Sequence, residues 1–116
     1  MALRTVLLQF QKQIKTIRNS LTLTATGTNT FIPAGKANVY RDLTFLQGSN
    51  TSATNVRIDI SDGVVTYSWF LAANGGGFNI NFSPPLAASA PGQSWTAAIS
   101  ASVTDVRTSV QAVETT

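Results

Sequence analysis

Two aspartates three residues apart, Asp59 and Asp62, are the first pair in this chain of 116 residues whose type and spacing suit acid/base or metal chemistry. The local pattern argues for quieter roles. Asp59 falls on the solvent side of an alternating strand, and Asp62-Gly63 is a hairpin signal, since both positions tolerate the positive φ of a type I′ turn. Two carboxylates also fall short of the six to eight oxygens that calcium takes. The chain has no His and no Cys. The commonest general base, the commonest transition-metal ligand, the thiol nucleophile and the disulfide are therefore all missing. An enzyme is not expected, and neither is a cofactor or a metal. Asp105 and Glu114 read as surface charges.

Gly75-Gly76-Gly77 has the glycines of a phosphate cradle. No helical pattern follows it and the P-loop lysine is absent, so it reads as a turn between strands. Asn50-Thr51-Ser52 and Asn81-Phe82-Ser83 match the glycosylation sequon. In a chain this rich in Asn, Ser and Thr, such matches arise by chance. Tyr67, Trp69 and Trp95 have the makings of an aromatic sugar platform. Their period-two companions are Val65, Leu71, Ala97 and Ile99, which favours a core role. Tyr40, on the face opposite Val39, Leu43 and Phe45, is the better exposed candidate.

Charge is unevenly placed. Residues 1–18 carry Arg4, Lys12, Lys15 and Arg18 and no acid, whereas residues 19–116 carry four basic and five acidic side chains. The arm's +4 and the body's −1 make up the net +3, so the basic balance belongs to an N-terminal arm on a nearly neutral body. Leu3, Leu7, Phe10, Ile14, Ile17 and Leu21 are spaced alternately four and three apart, which places them on one narrow helical stripe. The spacing predicts a short amphipathic helix over residues 3–18. An extended arm is the competing reading, because Val6, Leu8 and Phe10 also alternate. Two heptads are marginal alone in water, so the arm needs a partner. Its candidate contact residues, toward its own body, sister arms or another protein's surface, are Leu3, Arg4, Leu7, Phe10, Lys12, Ile14, Lys15, Ile17 and Arg18. Nucleic acid is the weaker alternative: four charges bind phosphates feebly, and the one aromatic, Phe10, sits on the apolar stripe rather than on a stacking platform.

The elements that hold these residues alternate at period two. Hydrophobic content of 43% is ordinary, and with charge at only 11% the polarity comes from Thr, Ser and Asn. Thr favours strands, and Asn and Gly favour turns. Strands are expected at residues 21–26, 28–32, 38–46, 56–61, 65–71, 78–82, 95–101 and 106–112. Residues 47–55 read as a loop, and Pro84-Pro85 as the end of its strand. About eight short strands with turn chemistry between them predict an all-β antiparallel β-sandwich, jelly-roll-like being one option. The expected organisation is an arm at 1–19 and a sandwich at 20–116. No stretch reaches the roughly 18 apolar residues that span a bilayer, and Leu3 to Phe10 is too short and interrupted for a secretory signal. No membrane contact is expected.

The run IDISDGVVTYSWFLAANGGGFNINFSPPL, followed by TAAISASVTDVRTSVQAVE, resembles small β-sandwich virion proteins of tailed bacteriophages. The likeness covers residues 56–114, and the PAGK turn at 33–36 agrees with it. Capsid decoration (cement) proteins match best in size and architecture. The resemblance implies a structural virion protein on the outer surface of a phage head, assembled in the host cytoplasm. Its implied partner is the major capsid protein, and its implied state a homotrimer. It carries no active-site motif, and the basic arm lies outside it. Two further readings stand beside it. One is a fibre or receptor-binding domain that recognises host glycans through loops 47–55 and 86–94. The other is a neck or tail-completion protein.

Overall fold

Alternation becomes pairing in the computed structural model, which describes residues 15–115. Eight strands form: β1 (Lys15–Leu23), β2 (Asn29–Ile32), β3 (Tyr40–Asn50), β4 (Val56–Ser61), β5 (Thr66–Leu71), β6 (Gly76–Leu86), β7 (Trp95–Ile99) and β8 (Val106–Thr115). They build two four-stranded antiparallel sheets, ordered β1-β8-β3-β6 and β2-β7-β4-β5. First pairs with last, second with seventh, third with sixth and fourth with fifth. That nested pairing is a long hairpin wound across two sheets, the jelly roll.

The core lies between the sheets and is filled by every second residue. Val56, Ile58 and Ile60 of β4, Trp95, Ala97 and Ile99 of β7, and Val106, Val110 and Ala112 of β8 are buried. Each fully buried Ile, Leu or Phe stabilises by about 1.5–3 kcal/mol relative to exposure. Thr108 is the polar member of the β8 row, and its hydroxyl donates to the Gln47 carbonyl at 2.8 Å.

Four expectations are corrected. Residues 15–18, placed at the end of an N-terminal helix, are strand: β1 pairs with β8 from Lys15↔Glu114 to Leu23↔Val106. A sheet partner satisfies the backbone there, which a lone two-heptad helix does not match. The last five residues of the expected 1–19 arm thus belong to the sheet, and the part of that expectation at residues 1–14 lies outside the described residues. Next, Gln47–Asn50 is not loop but the end of β3, held on both sides by β8 and β6. Third, Phe45 does not share the inward face of Leu43. A β-bulge between them takes up Thr44 and turns Leu46 into the core, while Phe45 faces outward. Finally, Pro84-Pro85 interrupts β6 without ending it. The register passes from Phe45↔Asn81 to Leu43↔Leu86, leaving the prolines in the gap. β6 is an edge strand, where a missing donor costs no ladder bond.

Glycine is required where β5 turns into β6. A Cβ on Gly77 would lie 2.5 Å from the Gly48 carbonyl oxygen, and one on Gly48 would lie 2.6 Å from the Phe78 ring. The two bare positions let Phe78 lie flat across β3.

Candidate interaction surface

The aspartates come to rest far apart in character. Asp59 stays on the outer face, bound by Arg57 at 2.9 Å and by the Ser68 hydroxyl. The Arg57 hydrogen bond holds its carboxyl below the usual range, against a smaller opposing effect of burial. Asp62 is fully buried. Its Oδ1 accepts from the Val64 and Val65 amides, each at 2.9 Å, and its Oδ2 from the Ser89 amide at 2.7 Å. Burial pushes its pKa up, but the bonds from Ser89, Val65 and Val64 together outweigh it and bring the value down to about 2. The turn it supports is Gly63-Val64, closed by the Asp62 amide on the Val65 carbonyl at 3.3 Å. Only Gly63 has positive φ, 95°, so the turn is of the II′ kind rather than the expected I′. Asp62 is therefore a clasp between the β4–β5 hairpin and the loop before β7.

The other carboxylates are also occupied. Asp105 accepts from the Thr51 hydroxyl at 2.8 Å, which with Arg107 lowers its pKa despite burial. Glu114 pairs with Arg41 at 2.8 Å, and Asp42 accepts from the Ala88 amide at 2.8 Å. Among the described residues no three Asp or Glu side chains converge. Each carboxylate's geometry is that of a structural acceptor, with no free lone pair aimed at a common point.

Buried polar residues tie the loops at each end of the sandwich. At one end Asn50 is fully buried and donates to the Thr54 and Leu71 carbonyls at 2.7 and 3.2 Å. Its Oδ1 accepts from the Ser52 amide and hydroxyl. This sequon asparagine has no free amide to modify, whereas Asn81 is exposed. At the other end the Trp95 indole donates to the Arg41 carbonyl at 2.6 Å, and the Gly92 amide to Val39 at 2.8 Å. Antiparallel β3 and β6 set Asn50 beside Gly76 and Leu43 beside Leu86. Loops 51–55 and 87–94 thus lie at opposite ends, about 23 Å apart at the rise of an extended strand.

The aromatics divide as the alternation implied, with one addition. Trp95 is fully buried, while Tyr67 and Trp69 are half-buried. Trp69 stacks on Phe78 with ring centroids 5.1 Å apart, joining β5 to β6. Tyr40 is 39% exposed, but the outstanding aromatic is Phe70, 85% exposed on the outer face of β5. Sequence reasoning passed over it, although the inward series Val65, Tyr67, Trp69, Leu71 leaves it on the outside. It borders a shallow groove with Asn55, Val56, Arg57, Ala72 and Ser100.

Of the expected arm residues, Lys15, Ile17 and Arg18 are on β1. Lys15 and Arg18 are exposed, and Ile17 is half-buried against the core. Leu3, Arg4, Leu7, Phe10, Lys12 and Ile14 lie outside the described residues. The two lateral sides of the sandwich differ sharply. The side edged by β1 bears Lys15 and Arg18. The side edged by β5 and β6 is uncharged, since residues 63–104 contain no Asp, Glu, Lys or Arg.

No family model matches the chain, and no curated protein gives a significant sequence match. Solved structures do. A chain of the cyanophage Pam1 capsid asymmetric unit is 13% identical at a TM-score of 0.53, over 87% of this chain and 83% of that one. A subunit of the disulfide-linked pili of Bacillus endospore appendages is 13% identical at 0.48, over 90% and 88%. A chain of the acid-stable capsid of Helicobacter pylori bacteriophage KHP30 is 7% identical at 0.48, over 87% and 91%. What the likeness to the Pam1 chain shows is a shared overall fold.

Proposed function

We propose that this chain is a structural virion protein without catalytic activity, a capsid decoration protein that binds the outer surface of a phage head and stabilises the shell. The observation that carries the reading is the fold likeness to a phage capsid chain over 87% of the length. The site geometry supports it: the described carboxylates are all taken up by structural bonds, and one lateral side is uncharged and rich in aromatics. A protein of this kind needs a stiff body and contacts that exist only on the assembled shell. Binding the shell and not its dissociated parts stabilises the shell by linkage.

The arm is the proposed link to the major capsid protein. Leu3, Leu7, Phe10 and Ile14 offer apolar surface at about 25 cal/mol per Å² buried, less the cost of ordering the segment. Ile17 is spoken for by the sandwich. A trimer, as the phage resemblance implies, would multiply these contacts by avidity. The test is binding to heads stripped of this protein, by the full chain and by a chain lacking residues 2–14. The deletion stops there because β1 begins at Lys15. The reading expects the shortened chain to fold and lose head binding. Undiminished occupancy by the shortened chain would remove the arm from the account.

A receptor-binding domain is the second reading, and the exposed Phe70 beside Arg57, Asn55 and Ser100 speaks for it. It requires binding of the isolated protein to host cells or surface glycans, abolished by Phe70→Ala. A neck or tail-completion role differs in copy number, a few to a dozen per particle.

A further inference from the structure

Among the described residues four strands lie at sheet edges, and they are not alike. β1 carries the exposed cations Lys15 and Arg18. β2 is only four residues long and its ladder is irregular between Thr30 and Ile32. β6 is broken by Pro84-Pro85. Charge, shortness, bulges and proline are the devices by which proteins keep edges from pairing. β5 has none of them. Its sequence, Thr66-Tyr-Ser-Trp-Phe-Leu71, is uncharged and strongly strand-forming, and its pairing with β4 is unbroken. Three of the four exposed large hydrophobics, Val64, Val65 and Phe70, lie on it or on the turn that leads into it.

The hydrogen-bond phase of β5 follows from its hairpin. The bond from the Asp62 amide to the Val65 carbonyl makes Asp62 and Val65 a hydrogen-bonded pair. Main-chain groups alternate from there, so Tyr67 and Trp69 point theirs at β4, while Thr66, Ser68 and Phe70 point theirs outward. Among the described residues β5 has no strand on that outer side, and these three amides and carbonyls make no hydrogen bond to any loop or side chain.

We propose that the outer edge of β5 pairs with β5 of a second copy of this chain, antiparallel, about a two-fold axis at Ser68. The two four-stranded sheets then become one of eight. Ser68 faces Ser68 of the second copy, Thr66 faces Phe70 of the second copy, and each of these opposed pairs exchanges both of its main-chain bonds. Tyr67 falls opposite Trp69 of the second copy on the inner face, an aromatic pair of the kind that stabilises ladders. Phe70 is covered across the axis. The charge pattern selects a second copy as the occupant. The edge lies in the stretch 63–104 that has no Asp, Glu, Lys or Arg, so it meets itself without repulsion and offers an acidic or basic partner nothing to pair with. Arg57 and Asp59, the nearest charges, neutralise each other on β4. A two-fold contact pairs a surface with itself and a three-fold contact does not, so this contact is additional to any trimer and does not depend on the decoration reading.

The chain has no Cys, so one introduced thiol reads the axis directly. Across a hydrogen-bonded antiparallel pair the Ser68 Cα atoms sit about 5.5 Å apart, within the roughly 4.4–6.8 Å that a disulfide spans. Under mild oxidation the full-length Ser68→Cys protein is expected to form a covalent dimer at least tenfold faster than Ser102→Cys, an exposed loop control. Ser68→Lys, which places its ammonium beside Asp59 and leaves the core untouched, is expected to halve the sedimenting mass at unchanged near-ultraviolet circular dichroism. Equal oxidation rates at the two positions overturn the proposal. So does an unchanged mass in folded Ser68→Lys, or cross-linking of Ser68→Cys only to a head protein and never to itself.

Discussion

Asp62→Asn changes one oxygen for an amide nitrogen at a fully buried site. The remaining carbonyl oxygen still accepts from Val64 and Val65, but the new NH₂ faces the Ser89 amide that the carboxylate bound at 2.7 Å. Two donors then meet, and a charge-assisted bond is lost. Bonds to charged groups are worth about 1.5–3 kcal/mol, and a buried donor left without a partner costs about 1–3 kcal/mol. A total near 3 kcal/mol is expected at pH 7. The pKa gives a second route to part of this number. A fall from 3.8 to about 2 corresponds to about 2.4 kcal/mol of linked stability. Because the folded value is the lower one, that stability is fully present above about pH 4 and disappears as the pH falls toward 2. Urea unfolding of the wild type and Asp62→Asn, measured from pH 7 to pH 2, tests both. The gap is expected to start near 3 kcal/mol and to shrink by about 2.4 kcal/mol across the acid range. A gap that is below 0.5 kcal/mol at pH 7, or the same at every pH, refutes the clasp.

The Asn50 hub predicts that Asn50→Ala costs about 2–4 kcal/mol, because the Leu71 and Thr54 carbonyls and the Ser52 hydroxyl lose their shared partner; chemical denaturation measures it. Ile58→Ala, in the middle of the core, is expected to cost about 2–5 kcal/mol, whereas Lys36→Ala, at an exposed position away from every strand, stays within about 0.5 kcal/mol of wild type. Paired thermal melts show whether burial separates the two. Gly48→Ala forces the Phe78 ring off β3 and is expected to lower stability by about 1–3 kcal/mol, with the stacking of Phe78 on Trp69 lost from the near-ultraviolet spectrum.

Much of the sandwich was legible because its strands are half-buried. Val56, Ile58 and Ile60 alternating with Arg57, Asp59 and Ser61 can be read only one way, and Val106, Thr108, Val110 and Ala112 are buried as spaced. The misreadings fell where neighbours outweigh local pattern. Gln47–Asn50 has the composition of a loop, yet it is gripped by strands on both sides. The bulge at Thr44 reverses which of Leu43, Phe45 and Leu46 point inward, and one extra residue leaves no trace in periodicity. The heptad spacing that suggested a helix through Arg18 coexists with the alternation of Ile17, Asn19, Leu21 and Leu23, and pairing with β8 decided between them. Asp62 was legible as a turn residue, but its bond to Ser89 depends on a loop 27 positions later. Phe70 was visible as the outward member of an inward series. Its significance emerged only with β5 as an unprotected edge.

The central claim is tested most directly by counting this chain in purified phage particles. Quantitative mass spectrometry of intact heads, with surface labelling before disruption, is expected to find it in hundreds of copies, labelled from outside. Its absence from the particle, or a handful of copies confined to the tail, would contradict the account.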